Sequence, residues 1–543
     1  MDNIAVWVKD VTFRYRERST PAIQGISFSV KPGELMLIAG ASGCGKTTLI
    51  RCINGLIPRS YKGELQGEIS IEGNSIHNLP LARISQLVGT VLQDPERQIL
   101  GTRVRNEVAF GLENLGLDRS EITLRIDQAL DYIGIQNLRD RETFNLSGGE
   151  KQKVALAGVL AMQPKILLLD EPLASLDPVS AQDSLRIVRQ MVDEGMCVLM
   201  VEHRVEDVLN IRPDQVLLIE NGMVHYQGAV EGLYKVVNYH EIKLPAQEVL
   251  KRAIQDPPPQ DLKVLPSVER QSEETGQPAL VQFEDVYFGY ETTPAVLQDI
   301  QFEIHRGDVI AILGANGAGK TTLVKHAIGL LKPLQGRVLI DGVDTHKLSV
   351  AEVAKTLGYV FQSPSHMLFA STVYDELAFG PTNLGHPAAQ IEKEVLEAIE
   401  IVNLSGKEKE APLSLSFGQQ KRVSIAAVLA MRSRILVMDE PTAGQDYQNY
   451  MDFMDAIVQL PNFEAILFIT HDIDLAVIYA NRVVLMNNGR IVADGKPDQV
   501  LNDFNQLRSW NVVPTSLLRL NLDMLPISKR FLRAEALAHL QVS

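Results

Sequence analysis

The stretch GASGCGKTTLI, from Gly40 to Ile50, decides the fold of the first half of this chain. It follows the apolar run LMLIA and opens a helical run, an order typical of a buried strand, a tight turn and a helix. The glycines let successive backbone N–H groups turn toward a bound anion, and the lysine adds a positive charge. This pattern predicts an α/β domain with a phosphate site at a helix N-terminus.

A near copy of this stretch, GANGAGKTTLV, begins at Gly314, and the text around it is repeated as well. ILLLDEP is matched by ILVMDEP, and LMVEHR by LFITHD. Lys46 and Lys320 lie 274 residues apart, and Glu171 and Glu440 lie 269 apart, so the copies are collinear. A repeat of this length indicates two complete domains rather than a solenoid.

Five prolines between Asp256 and Pro278 mark the joint between the copies and predict an extended, partly stiff linker. Each copy reads as strand, phosphate loop and helix, then a mainly helical stretch, then short apolar runs suited to central parallel strands. We predict a first domain at 1–235, a linker at 236–279, a second domain at 280–500 and a helical tail at 501–543.

Bulk composition narrows the class of protein. The net charge of the 543 residues is −15, which argues against a nucleic-acid binder. The three cysteines, Cys44, Cys52 and Cys197, have neither zinc-ligand spacing nor a disulfide pattern. Since no apolar run approaches the ~20 residues that span a bilayer, a membrane function would require another chain to supply the membrane part.

Both phosphate loops fit the pattern G-x-x-x-x-G-K-[ST], which predicts a nucleoside triphosphate, ATP, as ligand. Lys46 and Lys320 are expected to reach the β- and γ-phosphates, and Thr47 and Thr321 to offer a hydroxyl to Mg²⁺. The other residues expected to bind the nucleotide through these loops are Gly40, Ser42, Gly43, Gly45 and Thr48, with Gly314, Asn316, Gly317, Gly319 and Thr322 in the second copy.

Two carboxylates end an apolar strand in each copy. Asp170 and Asp439 are predicted to hold Mg²⁺, directly or through water. Glu171 and Glu440, which follow at once, are predicted to accept a proton from the attacking water or to orient it. An isolated Asp-Glu pair would more often cap a helix, but this one recurs after a phosphate loop in both copies.

Two further polar side chains recur at matching positions. His203 and His471 each follow an apolar strand and are predicted to sense the γ-phosphate, against the alternative of a structural histidine. Gln93 and Gln362 are predicted to bridge Mg²⁺ and the attacking water, and a solvent-exposed glutamine is the alternative. The sequence thus supplies a histidine and a glutamine to each candidate site.

An aromatic residue near the start of each copy is a candidate for the base of the nucleotide. Tyr15 and Tyr290 are predicted to stack on adenine, although packing in the core is a serious alternative for both. The two residues lie 275 apart, close to the spacing of the lysines.

LSGGE at Leu146 and LSFGQ at Leu415 complete a constellation that resembles the ATP-binding-cassette ATPases over about 1–235 and 280–500. The resemblance implies a parallel-sheet core, an antiparallel β part and a helical subdomain in each domain. It also implies that each such signature faces the nucleotide of the opposite domain, so that the two halves pair within one chain. By this resemblance, Ser147, Gly148 and Gly149 would face the nucleotide bound by Lys320. Ser416 and Gly418 would face the nucleotide bound by Lys46. Phe417 departs from the family's glycine, which leaves the equality of the two hydrolytic sites open.

The segments after the two glutamines, QDPERQIL and QSPSHMLFASTVYDELAFG, are similar to those of energy-coupling-factor importer ATPases. That similarity implies an ATPase motor at the cytoplasmic face of the membrane. The same similarity implies uptake of a vitamin, a vitamin precursor or a transition-metal ion. The implied partners are a transmembrane scaffold subunit and a small substrate-binding membrane subunit. The alternatives are a twin-cassette sugar importer ATPase and a soluble twin-cassette protein acting on ribosomes or DNA.

Overall fold

The run LMLIA before the first phosphate loop forms the strand Leu35–Ala39 in the computed structural model, and all five of its residues are buried. The structure describes residues 4–174, 176–255, 278–290, 293–442, 445–460 and 463–540. Contacts divide the chain into one unit of Met1–Leu244 with Asp446–Gln448 and another of Pro245–Gln445 with Asn449–Ser543.

The first unit holds two sheets. Leu35–Ala39 lies between two parallel neighbours, Cys197–Val201 and Gln215–Glu220, and burial on both faces explains its continuous apolar sequence. The six-stranded sheet has the order Met223–Gly228, Gln215–Glu220, Leu35–Ala39, Cys197–Val201, Ile166–Asp170, Val88–Val91. The antiparallel sheet has the order Ile23–Val30, Val6–Tyr15, Gly63–Ile71, Asn74–Ser75.

The helix that follows the phosphate loop, Lys46–Ile53, packs between these sheets. Its Leu49 and Ile53 share one buried cluster with Phe13 of the antiparallel sheet and Leu199 of the six-stranded sheet. The other helices of this half are Leu56–Arg59, Leu81–Leu87, Val104–Asn114, Arg119–Ile133, Gly148–Ala161, Pro178–Asp193, Val205–Leu209 and Val230–Val236, with 3₁₀ turns at Pro95–Arg97, Gln136–Leu138 and Thr143–Asn145.

The second unit repeats this plan around Val309–Leu313, which lies between the parallel strands Ala465–Ile469 and Arg482–Asn487. Its six-stranded sheet has the order Leu357–Val360, Ile435–Asp439, Ala465–Ile469, Val309–Leu313, Arg482–Asn487, Arg490–Gly495. Its antiparallel sheet has the order Thr293–Ile304, Val281–Tyr290, Gln335–Ile340, Val343–Asp344. The predicted fold class, with a parallel core, an antiparallel part and a helical region in each half, is confirmed.

Helices of the second half occupy matching positions. They are Lys320–Ala327, Val350–Ala354, Val373–Asn383, Ala388–Ile401, Phe417–Ala430, Tyr447–Val458, Ile473–Tyr479 and Pro497–Val500, with 3₁₀ turns at Thr345–Lys347, Pro364–His366 and Pro412–Ser414. None of the helices in the described ranges combines the length and the apolar character needed to cross a membrane.

The joint and the tail contain structure of their own. A helix, Ala246–Ala253, lies inside the span predicted as extended linker, because Ala246, Val249 and Ala253 form an apolar stripe that becomes buried. The proline-rich part, 256–277, lies outside the described residues. The tail forms the helices Phe504–Ser509, Ser516–Ser528 and Ala534–Leu540.

The tail packs on the second unit. The hydroxyl of Thr515 donates to the Asp474 carboxylate at 2.5 Å. Arg533 donates to the phenol oxygen of Tyr479 at 2.7 Å and pairs with Asp455. Because Tyr479 also donates to Asp455 at 2.8 Å, the three side chains form one closed network. The tail is therefore tied to the two helices Tyr447–Val458 and Ile473–Tyr479.

Candidate nucleotide sites

In each phosphate loop the lysine side chain folds back along the loop. Lys46 Nζ donates to the carbonyl oxygens of Gly40 and Ala41, both at 2.7 Å. Lys320 Nζ donates to Gly314 at 2.7 Å and to Ala315 at 3.0 Å. The helices Lys46–Ile53 and Lys320–Ala327 begin without a side-chain cap, so their first N–H groups remain available to an anion.

The first glycine of each loop is required by its surroundings. Gly40 has φ 149° and Gly314 has φ 151°, a region that favours glycine. A Cβ at Gly40 would lie 2.3 Å from the carbonyl oxygen of Ile219, and one at Gly314 would lie 2.3 Å from that of Met486. Any side chain there would displace the loop against a neighbouring strand.

A hydroxyl and a carboxylate meet beside each loop. Thr47 Oγ1 donates to Asp170 Oδ1 at 3.3 Å, and Thr321 Oγ1 donates to Asp439 Oδ2 at 2.9 Å. Burial raises the pKa of Asp170 to about 6 and also raises that of Asp439. A buried carboxylate next to a hydroxyl is the oxygen donor set that Mg²⁺ accepts when substrate phosphates complete its shell, so these residues fit the cation.

No group of three or more His, Cys, Asp or Glu side chains in the described part of the chain could hold a metal ion by itself. The assignments of individual Mg²⁺ ligands stay predictions.

The first half brings three predicted side chains together. Glu171 Oε1 lies 2.9 Å from Nε2 of His203, and Glu171 Oε2 accepts from Nε2 of Gln93 at 2.6 Å. Burial acts to raise the pKa of Glu171, but the hydrogen bond and charge of His203, together with Lys46 and Gln93, outweigh it and leave that pKa lowered. A carboxylate held ionised beside a phosphate loop is suited to orient water or accept its proton.

In the second half only two of the three corresponding residues meet. Glu440 Oε1 lies 3.0 Å from Nδ1 of His471. Glu440 Oε2 is buried and has no hydrogen-bond partner among the described residues, and Gln362 is exposed. Here too His471 and nearby lysines outweigh the effect of burial and lower the pKa of Glu440.

Two residues that the sequence reading missed contact the second site. Tyr359 donates its phenol hydrogen to Asp439 Oδ2 at 2.9 Å. Lys421 donates to the main-chain oxygen of Glu440 at 2.8 Å, and burial lowers the pKa of Lys421 to about 7. The matching residues of the first copy are Thr90 and Gln152. The only signal in the sequence is this difference between copies.

The signature serines begin helices. Ser147 is the N-cap of Gly148–Ala161 and forms a capping box with Glu150, while Ser416 does the same for Phe417–Ala430 with Gln419. The spacing S-x-x-E/Q could have revealed this. Gly148, Gly149 and Gly418 lie in the first turns, and the side chain of Phe417 lies outside the described residues.

The two tyrosines differ. The hydroxyl of Tyr15 lies 3.1 Å from that of Thr48 and accepts from Arg51 at 3.3 Å, which places the ring beside the phosphate-loop helix. Tyr290 is 41% exposed and contacts the ring of Phe288 edge-on. Adenine stacking stays a prediction for both.

Comparison with known proteins defines the class. The family model described as "ABC transporter" matches residues 23–174 and 297–443. A "Putative ABC transporter ATP-binding protein" of Caldanaerobacter subterraneus subsp. tengcongensis is 35% identical over 544 residues, covering 95% of each chain. One of the same description from Streptococcus pneumoniae serotype 4 is 37% identical over 539 residues, covering 96% of each.

Among solved structures, cbiO1 from Clostridium perfringens, described as part of the ABC transporter complex cbiONQ, is 32% identical. That match covers 49% of this chain and 100% of the other, with a TM-score of 0.40. On the family model and the relatives, the chain belongs to the ABC transporter family as a two-cassette ATP-binding protein. The prediction of an ATPase is confirmed, and ATPases of this family bind ATP, typically with Mg²⁺.

Proposed function

We propose that this chain is the ATP-hydrolysing motor subunit of an energy-coupling-factor importer. It would drive uptake of a vitamin, a vitamin precursor or a transition-metal ion through a transmembrane scaffold subunit and a small substrate-binding membrane subunit. Its place would be the cytoplasmic face of the membrane. Two intact phosphate loops and the segments that follow Gln93 and Gln362 support this type of importer over a sugar importer.

The main support for a partner in the membrane is a pair of exposed apolar patches, one in each cassette. In the first cassette, Leu100, Phe110 and Phe144 are 68%, 48% and 69% exposed. The first patch is defined by these three residues. The backbone N–H of Thr143 donates to the oxygen of Thr102 at 3.1 Å, which brings the segments of Leu100 and Phe144 together.

The second cassette has the same feature. Phe369, Phe379 and Leu413, the second patch, are 62%, 52% and 58% exposed and lie 269 residues after their counterparts. The rings of Phe369 and Phe379 stack edge-on at 4.8 Å. Repeated exposure of large apolar side chains at fixed positions marks an interaction surface. ATP chemistry does not need it, so we assign each patch to a cytoplasmic helix of a membrane subunit.

Two acidic residues and a glutamine lie in the segment that precedes Leu100 of the first patch. Asp94 is paired with Arg97 at 3.2 Å, and Glu96 is paired with Lys151. Gln98 is bonded internally, since its amide accepts from Leu92 N at 2.9 Å and donates to Thr90 O at 3.2 Å. We propose that the carboxylates of Asp94 and Glu96, which are 48% and 69% exposed, contact basic residues of a membrane subunit, exchanging their internal partners for them.

Within each cassette we propose a separate role in ATP hydrolysis for each residue of the site. Lys320 binds phosphate oxygens, Thr321 and Asp439 would hold Mg²⁺, which neutralises phosphate charge, and Glu440 accepts a proton from the attacking water. His471 holds that carboxylate. The corresponding residues of the first cassette have the same roles.

We also propose, from the family resemblance, that the signature of each cassette completes the nucleotide site of the other. Cross-linking cysteines placed in the loops of Lys46 and Ser416 should then become efficient when ATP is trapped. If no nucleotide condition promotes this cross-link, the pairing is wrong.

The importer proposal is tested by detergent co-purification of the full chain from its native membrane, followed by mass spectrometry of proteins and retained small molecules. A multi-span scaffold, a small membrane protein and a vitamin or metal ion are expected. The double variant Phe369→Ser/Phe379→Ser should lose these partners while keeping ATP binding. Leu334→Ser, which alters a residue that is 69% exposed outside the patches, is the matched control.

Recovery of a sugar-binding protein with its permease, or of ribosomes or DNA, would overturn the proposal. So would full partner recovery by the double variant, since the second patch would then not be the docking surface.

A further inference from the structure

Lys421 is a buried lysine next to the catalytic glutamate of the second cassette. It is 1% exposed and lies on the helix Phe417–Ala430. Its ammonium donates to the main-chain oxygen of Glu440 at 2.8 Å. Because an amine nitrogen donates this bond and is itself buried, the bond is costly to lose, so the helix is held to the peptide that carries Glu440.

That peptide is held in an unusual conformation. Glu440 has φ 47°, in the left-handed region, directly after the strand Ile435–Asp439. A non-glycine residue in that region costs roughly 1–3 kcal/mol and persists only when its surroundings fix it. The bond from Lys421 supplies such a constraint on the main chain, while His471 holds the carboxylate.

Among the described residues of the first cassette, no side chain donates to the main-chain oxygen of Glu171, which accepts instead from the backbone N–H of Ala174 at 3.2 Å. Glu171 has φ 51°, yet the counterpart of Lys421 is Gln152, whose buried Nε2 has no hydrogen-bond partner in the described ranges. A cavity of about 20 Å³ lies there, lined by Gln152 together with Pro172 and Leu173, which follow Glu171 closely. The two glutamates thus share a backbone conformation but differ in what holds it.

We propose that Lys421 is a positioning residue for Glu440, which it fixes in the orientation needed to activate water, and that the first cassette works without this device. This rests on the assignment of Glu440 as the proton acceptor. Loss of this hydrogen-bond donor should lower kcat at the second site by about tenfold, the change produced by a loss of about 1.4 kcal/mol. ATP affinity should stay within twofold because the hydrogen bond of Lys421 goes to the main chain of Glu440, whereas the phosphates are assigned to the Lys320 loop.

The test uses the full chain without membrane partners, so it does not depend on the importer proposal. Steady-state kcat and KM are measured for Lys421→Gln, which copies Gln152, for Lys421→Arg, which keeps a charged donor, and for the exposed control Lys409→Gln. Vanadate trapping of a photoreactive ATP analogue, mapped to the loops of Lys46 and Lys320, then resolves the two cassettes.

Lys421→Gln should reduce trapping at the Lys320 loop about tenfold and leave the Lys46 loop within twofold. Lys421→Arg should keep most of the trapping at the Lys320 loop, and Lys409→Gln should show the same trapping as the unaltered chain. Equal losses at both loops, or no loss, would overturn the proposal. If Glu440→Gln itself leaves trapping and turnover at the Lys320 loop unchanged, the proton-acceptor assignment is at fault instead.

Discussion

Glu202, directly before His203, offers a test of how burial sets the charge of the first site. Its side chain is 2% exposed and accepts from three backbone N–H groups, those of Leu173, His203 and Arg204, at 2.7, 3.1 and 3.3 Å. Burial is the largest influence and raises the pKa of Glu202 to about 7 from 4.5. The carboxylate is therefore costly to ionise despite its three donors.

The sign of the pH dependence follows. Between pH 4.5 and about 7 the folded chain binds more protons at Glu202 than the unfolded chain does, so stability is lost as pH rises through this range. At about 1.36 kcal/mol for each tenfold change in proton affinity, the loss amounts to about 3 kcal/mol. Glu202→Gln removes this titration, although its amide faces N–H donors and costs about 1–3 kcal/mol at every pH.

The assay is scanning calorimetry of the nucleotide-free chain at pH 5, 6.5 and 8, following the transition of the first cassette. The advantage of the unaltered chain over Glu202→Gln should shrink by about 3 kcal/mol from pH 5 to pH 8. That equals a change of roughly 6–12 °C in the difference between their Tm values. Glu113→Gln, at an exposed position, controls for loss of a charge. An advantage that stays constant, or grows with pH, would show that the N–H donors outweigh burial.

Three further predictions concern the loops, the glutamates and the tail. Gly40→Ala places a Cβ 2.3 Å from the Ile219 oxygen and should weaken binding of a fluorescent ATP analogue at the first site by more than tenfold, seen in titrations. Glu171→Gln and Glu440→Gln, assayed separately, should each lower ATP turnover substantially, and two unimpaired variants would refute the proton-acceptor role. Thr515→Val removes the bond to Asp474 and a helix N-cap, and should destabilise the second cassette by about 2 kcal/mol in calorimetry.

Much of the fold follows from the sequence, because the deciding signals are local. The phosphate loops combine an apolar run, glycines at fixed spacing and a lysine, and each feature is a short-range requirement of strand, turn and helix. The proximity of Glu171 and His203 can also be predicted from the sequence, since each follows an apolar strand and parallel strands bring their carboxyl ends to one edge of a sheet. The repeat then doubles each signal.

Other features depend on contacts between residues far apart in the chain, and no local sequence pattern predicts them. The tail helices gave no hint that Arg533 would reach Tyr479 and Asp455, because that network joins three segments far apart in the chain. The helix Ala246–Ala253 was obscured by the prolines that follow it, although its apolar spacing was present.

The two cassettes differ mostly in the buried residues next to the motif residues, rather than in the motif residues themselves. The motif residues Asp, Glu and His are identical in both copies, and within the motifs only Phe417 of the second signature leaves the equality of the two sites open. Behind them, the first copy buries an additional carboxyl group, Glu202, where the second has Thr470, and the second buries an amine, Lys421, where the first has Gln152. Burial disfavours the charged form of both groups, so it raises the pKa of Glu202 to about 7 and lowers that of Lys421 to about 7. Two sites with the same motif residues therefore have different ionisable groups behind them, and because both groups titrate near neutral pH, we expect hydrolysis at the two sites to differ and to respond differently to pH.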